Sequence, residues 1–436
     1  MHKILQIEHN IVICLNDFIK YNDFTKSNAH INMCRKNETT KGEEMDYNFD
    51  EEISLRGSGS IKWDQWEDEN ILGMANADMD FKAADCVIEA LKKTAEQGMF
   101  DYHYKPDEHY QTIINWYNRK FGWTIKKEWI LSAPGVWVAV HICFEAFTRP
   151  GENIIVQTPH FHPIQVIADR MGRHIVTNPM ILKNGKYEID FDDFKQKIIE
   201  KRPAVYFMVN LQNPTGRLFT EEEVRRLMEI CCMYHVLVIS DEVHSNLRYR
   251  RKHTPAPSVS EEAQKNAIIL NAASKAYNTM DLTYCVIVAP DKHLRRILTE
   301  TLESYSLDFA TNLFSVAGTT AAFSEEADEW LDEITGYLET SLDIIFDYFE
   351  KNIPQIIPIR PEGSFLVWLD CRDLGMTQEQ LMDLFITKAR VGVTSGEPYG
   401  PEGIGFVRLN FGCTHRILKE ALRRINEAVA DCFTIV

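Results

Sequence analysis

The chain is short of the features that would place it in several broad classes. No apolar run among its 436 residues approaches the ~20 needed for a helix to span a bilayer. Basic residues are outnumbered, 47 Lys and Arg against 64 Asp and Glu, for a formal charge of −17. That balance argues against a nucleic-acid or anionic-membrane partner, because phosphate binding is driven by Lys and Arg. The ten cysteines include no CxxC pair and no disulfide-framework spacing, so reduced thiols in a cytoplasmic protein, mostly packed in a core, are expected. His160 and His162 have no third ligand spaced to join them, and no metal site is expected. The apolar stretch 11–15 is followed at once by Asp17 and Lys20 without a small-residue cleavage site, unlike a secretory signal. Internal repeats and low-complexity tracts are lacking too. What remains is an ordinary globular composition, 45% hydrophobic and 25% charged, in a chain long enough for two or three domains.

Organisation follows from periodicity. Residues 1–44 have weak patterning and end in the polar run 35–44, so they are expected to be a mobile extension, or Met45 to be the natural start. Between about 95 and 325, the runs 153–157, 204–211, 236–240, 267–271 and 284–289 are continuous and rich in Val and Ile, as strands covered on both faces require. Thr220 and Glu223 form a capping-box pattern ahead of Val224, Leu227, Met228 and Cys231 at helical spacing. Strands alternating with helices imply an α/β fold with a mostly parallel, helix-flanked sheet. After about residue 330 come long amphipathic helices, 331–349 and 420–432, with short strands near 365–369 and 406–411, which read as a smaller α+β domain.

Chemistry gathers at the ends of the apolar runs. Lys275, in Asn271-Ala272-Ala273-Ser274-Lys275-Ala276-Tyr277-Asn278, stands just beyond a buried strand, where desolvation can leave a lysine as a free amine. Asp241 ends the run 236–240 and should project from the carboxyl edge of a parallel strand, where open α/β sheets place ligands; its other reading is a helix cap. Gly135 opens the apolar helical stretch 138–147, and a glycine turn at a helix start offers N–H groups and a dipole to a phosphate. Arg408 lies on a short strand between Val407 and Leu409, either in an ordinary ion pair or with its fork free for a carboxylate. Asn213-Pro214-Thr215-Gly216 is by itself a turn. The basic run Arg248, Arg250, Arg251, Lys252 reads as a solvated surface turn.

Taken in order, these segments resemble the fold-type I pyridoxal 5'-phosphate (PLP) enzymes, and within them the MalY/PatB subgroup of cystathionine β-lyases, commonly filed with class I/II aminotransferases. The resemblance runs from about Tyr47 to the C-terminus and includes Ser60-Ile61-Lys62-Trp63-Asp64, Ala77-Asp78-Met79-Asp80-Phe81, Ser240-Asp241-Glu242-Val243-His244 and the run 405–413. It implies a segment 45–93 packing with the small domain, a large PLP domain over 94–328 and a small C-terminal domain over 329–436. It makes Lys275, with Ser274 beside it, the Schiff-base lysine and the acid/base at the substrate Cα, and Asp241 the partner of the pyridine nitrogen. Asn213 and His244 would serve the PLP 3-oxygen, Gly135 and Val136 the phosphate, Phe161 the ring face and Arg408 the substrate carboxylate. Tyr102, on its own a surface tyrosine, would reach the phosphate of a neighbouring subunit's coenzyme, which implies a homodimer with shared active sites. The chain departs from the wider pattern at Ala272 (often Ser or Thr), Thr283 (often Arg), Ala75-Asn76 and Asp101. The implied activity is β-C–S lysis of cystathionine or related S-substituted L-cysteines to thiol, pyruvate and ammonia. The alternatives are an aminotransferase and a MalY-like regulatory protein.

Overall fold

A computed structural model describes residues 47–308 and 312–433 of the chain; the expected extension 1–44 lies outside them. The backbone from Tyr47 onward is built around a seven-stranded sheet. In chain order its strands are β1 Ile130–Ala133, β2 Asn153–Thr158, β3 His174–Pro179, β4 Val205–Val209, β5 Leu237–Asp241, β6 Ala267–Asn271 and β7 Cys285–Val288. In space they run β1-β7-β6-β5-β4-β2-β3. β7 alone runs against the direction of the other six. The architecture is therefore the α/β one expected from the apolar runs.

Period-two alternation explains why these strands read as unbroken apolar runs. Val205, Phe207, Ile239, Ile268 and Leu270 point to one face and pack with Val140, Phe144 and Leu298 of the helices Val136–Phe147 and Lys292–Ser304. Tyr206, Met208 and Val238 point the other way, against Phe194 and against Val224, Leu227 and Cys231 of the helix Glu221–Met233. That last helix starts where the sequence indicates: the Thr220 side chain accepts the Glu223 N–H, and the Glu223 carboxylate returns to the Thr220 N–H. Such a reciprocal cap is worth about 1 kcal/mol.

Four further strands, β8 Ile357–Ile359, β9 Leu366–Asp370, β10 Thr394–Ser395 and β11 Phe406–Asn410, form an antiparallel sheet in the order β8-β9-β11-β10. The helices Asp328–Asn352 and His415–Phe433 accompany it. The segment after Tyr47 reaches the same elements: Leu72–Gly73 pairs with Val391–Gly392, and the Asn410 N–H donates to the Met74 carbonyl. Among the described residues eight cysteines are free, five of them buried, and no helix is long and apolar enough to cross a membrane.

Candidate active site

Parallel strands bring their carboxyl ends to one edge of the sheet. There a cavity of about 690 Å³ opens, lined by residues that follow β1, β2, β4, β5 and β6. β7 runs the other way, so its leading residues Thr283 and Tyr284 reach the same edge.

Asp241 is the last residue of β5 and faces this cavity. Its carboxylate accepts the Val243 N–H (3.1 Å) and pairs with no cation among the described residues. Burial pushes its pKa up to about 6, against the Val243 hydrogen bond and the Lys275 charge that lower it. Lys275, four residues beyond β6, donates from Nζ to the Ala77 carbonyl (2.7 Å). Burial, partly offset by Asp78, brings its pKa down to about 8, so about a tenth is free amine at pH 7, far more than for an ordinary lysine.

Arg408 enters from the small sheet. It is 4% exposed, on β11 opposite Trp368 of β9 and Thr394 of β10. Nη1 donates to Asn213 Oδ1 (3.1 Å), while Nη2 donates to the Ala75 carbonyl (2.8 Å) and Thr394 Oγ1 (3.3 Å). Its Nε has no partner, and among the described residues no carboxylate pairs with it. The guanidinium lies 5.6 Å from the centre of the Tyr399 ring. A buried guanidinium without a counter-charge costs several kcal/mol. An arriving carboxylate would offset that cost bidentately.

The phosphate cradle expected at Gly135 and Val136 is a helix start with open donors. Gly135 holds φ +110°, a conformation that favours glycine, and caps Val136–Phe147 without any side-chain hydrogen bond. Ala139 is the first residue of that helix whose N–H reaches a carbonyl of the same turn, that of Gly135 (3.1 Å), so the N–H groups of Val136, Trp137 and Val138 remain unsatisfied within the helix. All three residues line the cavity.

His244 also lines the cavity; its Nδ1 sits 3.0 Å from Ser364 Oγ. Burial first, then the charges of Lys275 and Arg408, lower its pKa to about 3 and keep the ring neutral. Phe161 lines one wall, its ring 5.3 Å from that of Trp137, and Asn213 and Ser274 complete the expected set. Thus every singled-out residue but one converges here. The exception is Tyr102, which is 97% exposed and does not line the cavity.

Tyr399, Trp137 and Thr394 also line the cavity, without a role assigned to them from the sequence. Tyr399 and Thr394 owe their places to the small sheet and its loops, a long-range contact that leaves no local pattern. Asp78 is different, since it lies in the quoted run Ala77-Asp78-Met79-Asp80-Phe81. Its Oδ1 is buried without a hydrogen-bond partner, and burial raises its pKa. Among the described residues no His, Cys, Asp and Glu cluster has the makings of a metal site.

An unpaired buried carboxylate, an unpaired buried guanidinium, a buried lysine of lowered pKa and an uncapped helix start thus share one cavity. This donor set fits PLP: a cationic ring nitrogen for Asp241, an aldehyde for Lys275 and a dianionic phosphate for the helix start.

Comparison with known proteins agrees with this geometry. Residues 69–425 match the family model described as aminotransferase class I and II. The chain is 34% identical to cystathionine beta-lyase PatB of Bacillus subtilis over 388 residues, covering 88% of this chain and 100% of PatB. The crystal structure of cystalysin from Treponema denticola, which contains a pyridoxal 5'-phosphate cofactor, superposes with a TM-score of 0.85 at 28% identity, covering 89% of this chain and 100% of cystalysin. The PLP-bound C-S lyase from Staphylococcus hominis gives a TM-score of 0.82 at 26% identity, covering 88% and 99% of the two chains.

Proposed function

Because the chain belongs to the aminotransferase class I and II family, we propose that it is a PLP-dependent β-C–S lyase acting on cystathionine or a related S-substituted L-cysteine. The observation that carries the lyase reading within that family is the similarity to PatB along that enzyme's whole length.

When bound, PLP supplies an electron sink for negative charge developing at the substrate Cα. Lys275 would hold its aldehyde carbon, Asp241 its ring nitrogen, and the N–H groups of the helix Val136–Phe147 its phosphate, with Asn213 and neutral His244 at the 3-oxygen and Phe161 against the ring. Arg408 binds the substrate carboxylate by exchanging its present weak partners for two charge-assisted hydrogen bonds, which fixes the direction of the Cα–H bond. Released when the substrate's amino group takes its place at the aldehyde carbon, the Lys275 amine, its pKa lowered to about 8 by burial, would take the Cα proton. The Cβ–S bond would then break, the sulfur leaving as a thiolate that takes up a proton, and the released 2-aminoacrylate is hydrolysed by water to pyruvate and ammonia.

Tyr102 completes the reading from a second copy of the chain. The segment Met99, Phe100, Tyr102 and Tyr104 exposes 67, 62, 97 and 97% of its side-chain-bearing residues' surface, a run of large apolar groups that a homodimer would cover. There Tyr102 would reach the neighbouring subunit's coenzyme phosphate. The acidic charge and free cysteines support a cytoplasmic setting.

Incubation of the purified protein with cystathionine, with and without a keto-acid acceptor, tests the proposal. Pyruvate and thiol released without acceptor support it; turnover strictly dependent on the acceptor would make the protein an aminotransferase instead.

A further inference from the structure

The basic run after β5 is the expected surface turn at Arg250, Arg251 and Lys252, which are exposed, but not at its first residue. Arg248 is half-buried, donating from Nη2 to the Lys120 carbonyl (2.9 Å) with its guanidinium 5.2 Å from the centre of the Phe121 ring. Arg250 and Arg251 line a second cavity, of about 340 Å³, which has no lining residue in common with the catalytic one.

This cavity is lined by five cations, Lys186, Arg217, Arg250, Arg251 and Arg360, and by two carboxylates, Glu339 and Glu362; with Glu223 on Arg217 and Asp343 on Arg360, five cations meet four carboxylates. In a chain of net charge −17 such an excess runs against the overall composition. Glu362 alone serves three of the cations: Arg217 Nη1 at 2.9 Å, Arg251 Nη1 at 3.1 Å and Lys186 Nζ at 3.8 Å. It also accepts the Leu218 N–H (2.8 Å). One carboxylate is thus spread over more positive charge than it can neutralise. Arg217 is buried and is further held by Glu223 (2.6 and 2.7 Å), so it forms a fixed floor. Arg250 with Glu339 (3.2 Å) and Arg360 with Asp343 (2.7 Å) are exposed pairs of the kind worth little in water. They can exchange their carboxylates for a ligand. Tyr187, Tyr249, Ile359 and Pro361 supply apolar walls.

We propose that this cavity binds a small organic anion that carries at least two negative charges on an apolar, ring-sized body, with Lys186, Arg250, Arg251 and Arg360 as its charged contacts. Carboxylates and phosphate esters share that chemistry. The position is consequential. The floor forms where the turn 212–217 meets the loop 359–364, through the Glu362 N–H on the Gly216 carbonyl (2.8 Å). The turn carries Asn213 and the loop carries Ser364, the hydrogen-bond partner of His244. An occupant would brace both.

Calorimetric titration of the full chain, loaded with cofactor, at constant ionic strength tests the site with phthalate, phenyl phosphate and, as a single-charge control, benzoate. At least one dianion is expected to bind about tenfold or more tightly than benzoate, as a second charge-assisted contact implies. The tighter of the two then tells carboxylate from phosphate chemistry. The double substitution Lys186→Gln, Arg251→Gln should weaken binding about tenfold or more, and Glu339→Gln, which removes a competing carboxylate, should tighten it. Dianions that bind no better than benzoate overturn the proposal. So does undiminished affinity in the double variant, which would put the anion on Arg408 instead. Should the double variant fail to fold, Glu339→Gln decides: tighter binding upholds the site and unchanged binding refutes it.

Discussion

Replacing Asp241 by Asn should make the cofactor-free protein more stable while destroying its catalytic competence. The carboxyl is held at about 6 rather than its ordinary 3.8, mainly by burial. A folded-state pKa above the unfolded one means that the folded protein binds the proton more tightly, so ionisation opposes folding. Below about pH 4 both states are protonated and nothing is lost; the cost grows between 4 and 6 and is complete above 6. Its upper bound is about 3 kcal/mol, and because Asp241 faces a cavity large enough to hold water, about 1–2 kcal/mol is the expected gain on removing the charge. Urea unfolding of the cofactor-free wild-type and Asp241→Asn proteins should therefore differ in midpoint at pH 7.5 and coincide near pH 4. With cofactor restored, turnover should fall by about 10²–10³-fold, the usual loss when one preorganised electrostatic partner is removed. A variant no more stable than wild type at pH 7.5, or one that keeps full turnover, would refute the idea that this carboxylate is held strained for a cationic partner.

Other perturbations have equally definite outcomes. The Lys275 pKa is lowered to about 8, so in cofactor-free protein its acylation by an amine reagent should rise with pH to a midpoint near 8, as read by peptide mass spectrometry; a midpoint near that of surface lysines would contradict its desolvation. Arg408→Lys keeps the charge but not the fork, and kcat/KM should drop about 10–100-fold, measured on steady-state plots, from loss of one charge-assisted hydrogen bond. Gly216→Ala should destabilise by about 1–3 kcal/mol in chemical denaturation, since Gly216 sits at φ +68° and an added Cβ would lie 2.3 Å from Pro361 Cβ.

Much of the large sheet was legible because its strands are buried on both faces, so burial alone writes continuous Val and Ile runs into the chain. β1 and β3 were missed for the complementary reason. Both are edge strands, and both carry half-exposed residues, Leu131 and Ser132 in β1 and most of His174–Pro179 in β3. The candidate site positions that follow strands could be read from local order, since topology delivers the ends of parallel strands to one edge. Tyr399 and Thr394 could not, because their places depend on segments far away in sequence: the Tyr399 carbonyl accepts the His160 N–H (2.8 Å), and Thr394 Oγ1 donates to the Ala75 carbonyl (2.9 Å). The basic run reads correctly as a surface turn at Arg250, Arg251 and Lys252, which are exposed; the ion pair of Arg251 with Glu362 was not legible, because Glu362 is more than a hundred residues downstream.

The central claim is that one buried amine, that of Lys275, joins the coenzyme aldehyde. Borohydride reduction of the cofactor-loaded protein followed by peptide mass spectrometry tests it most directly. The account predicts a pyridoxyl adduct on the peptide carrying Lys275, lost on Lys275→Ala; an adduct on another lysine with Lys275 unmodified would contradict it.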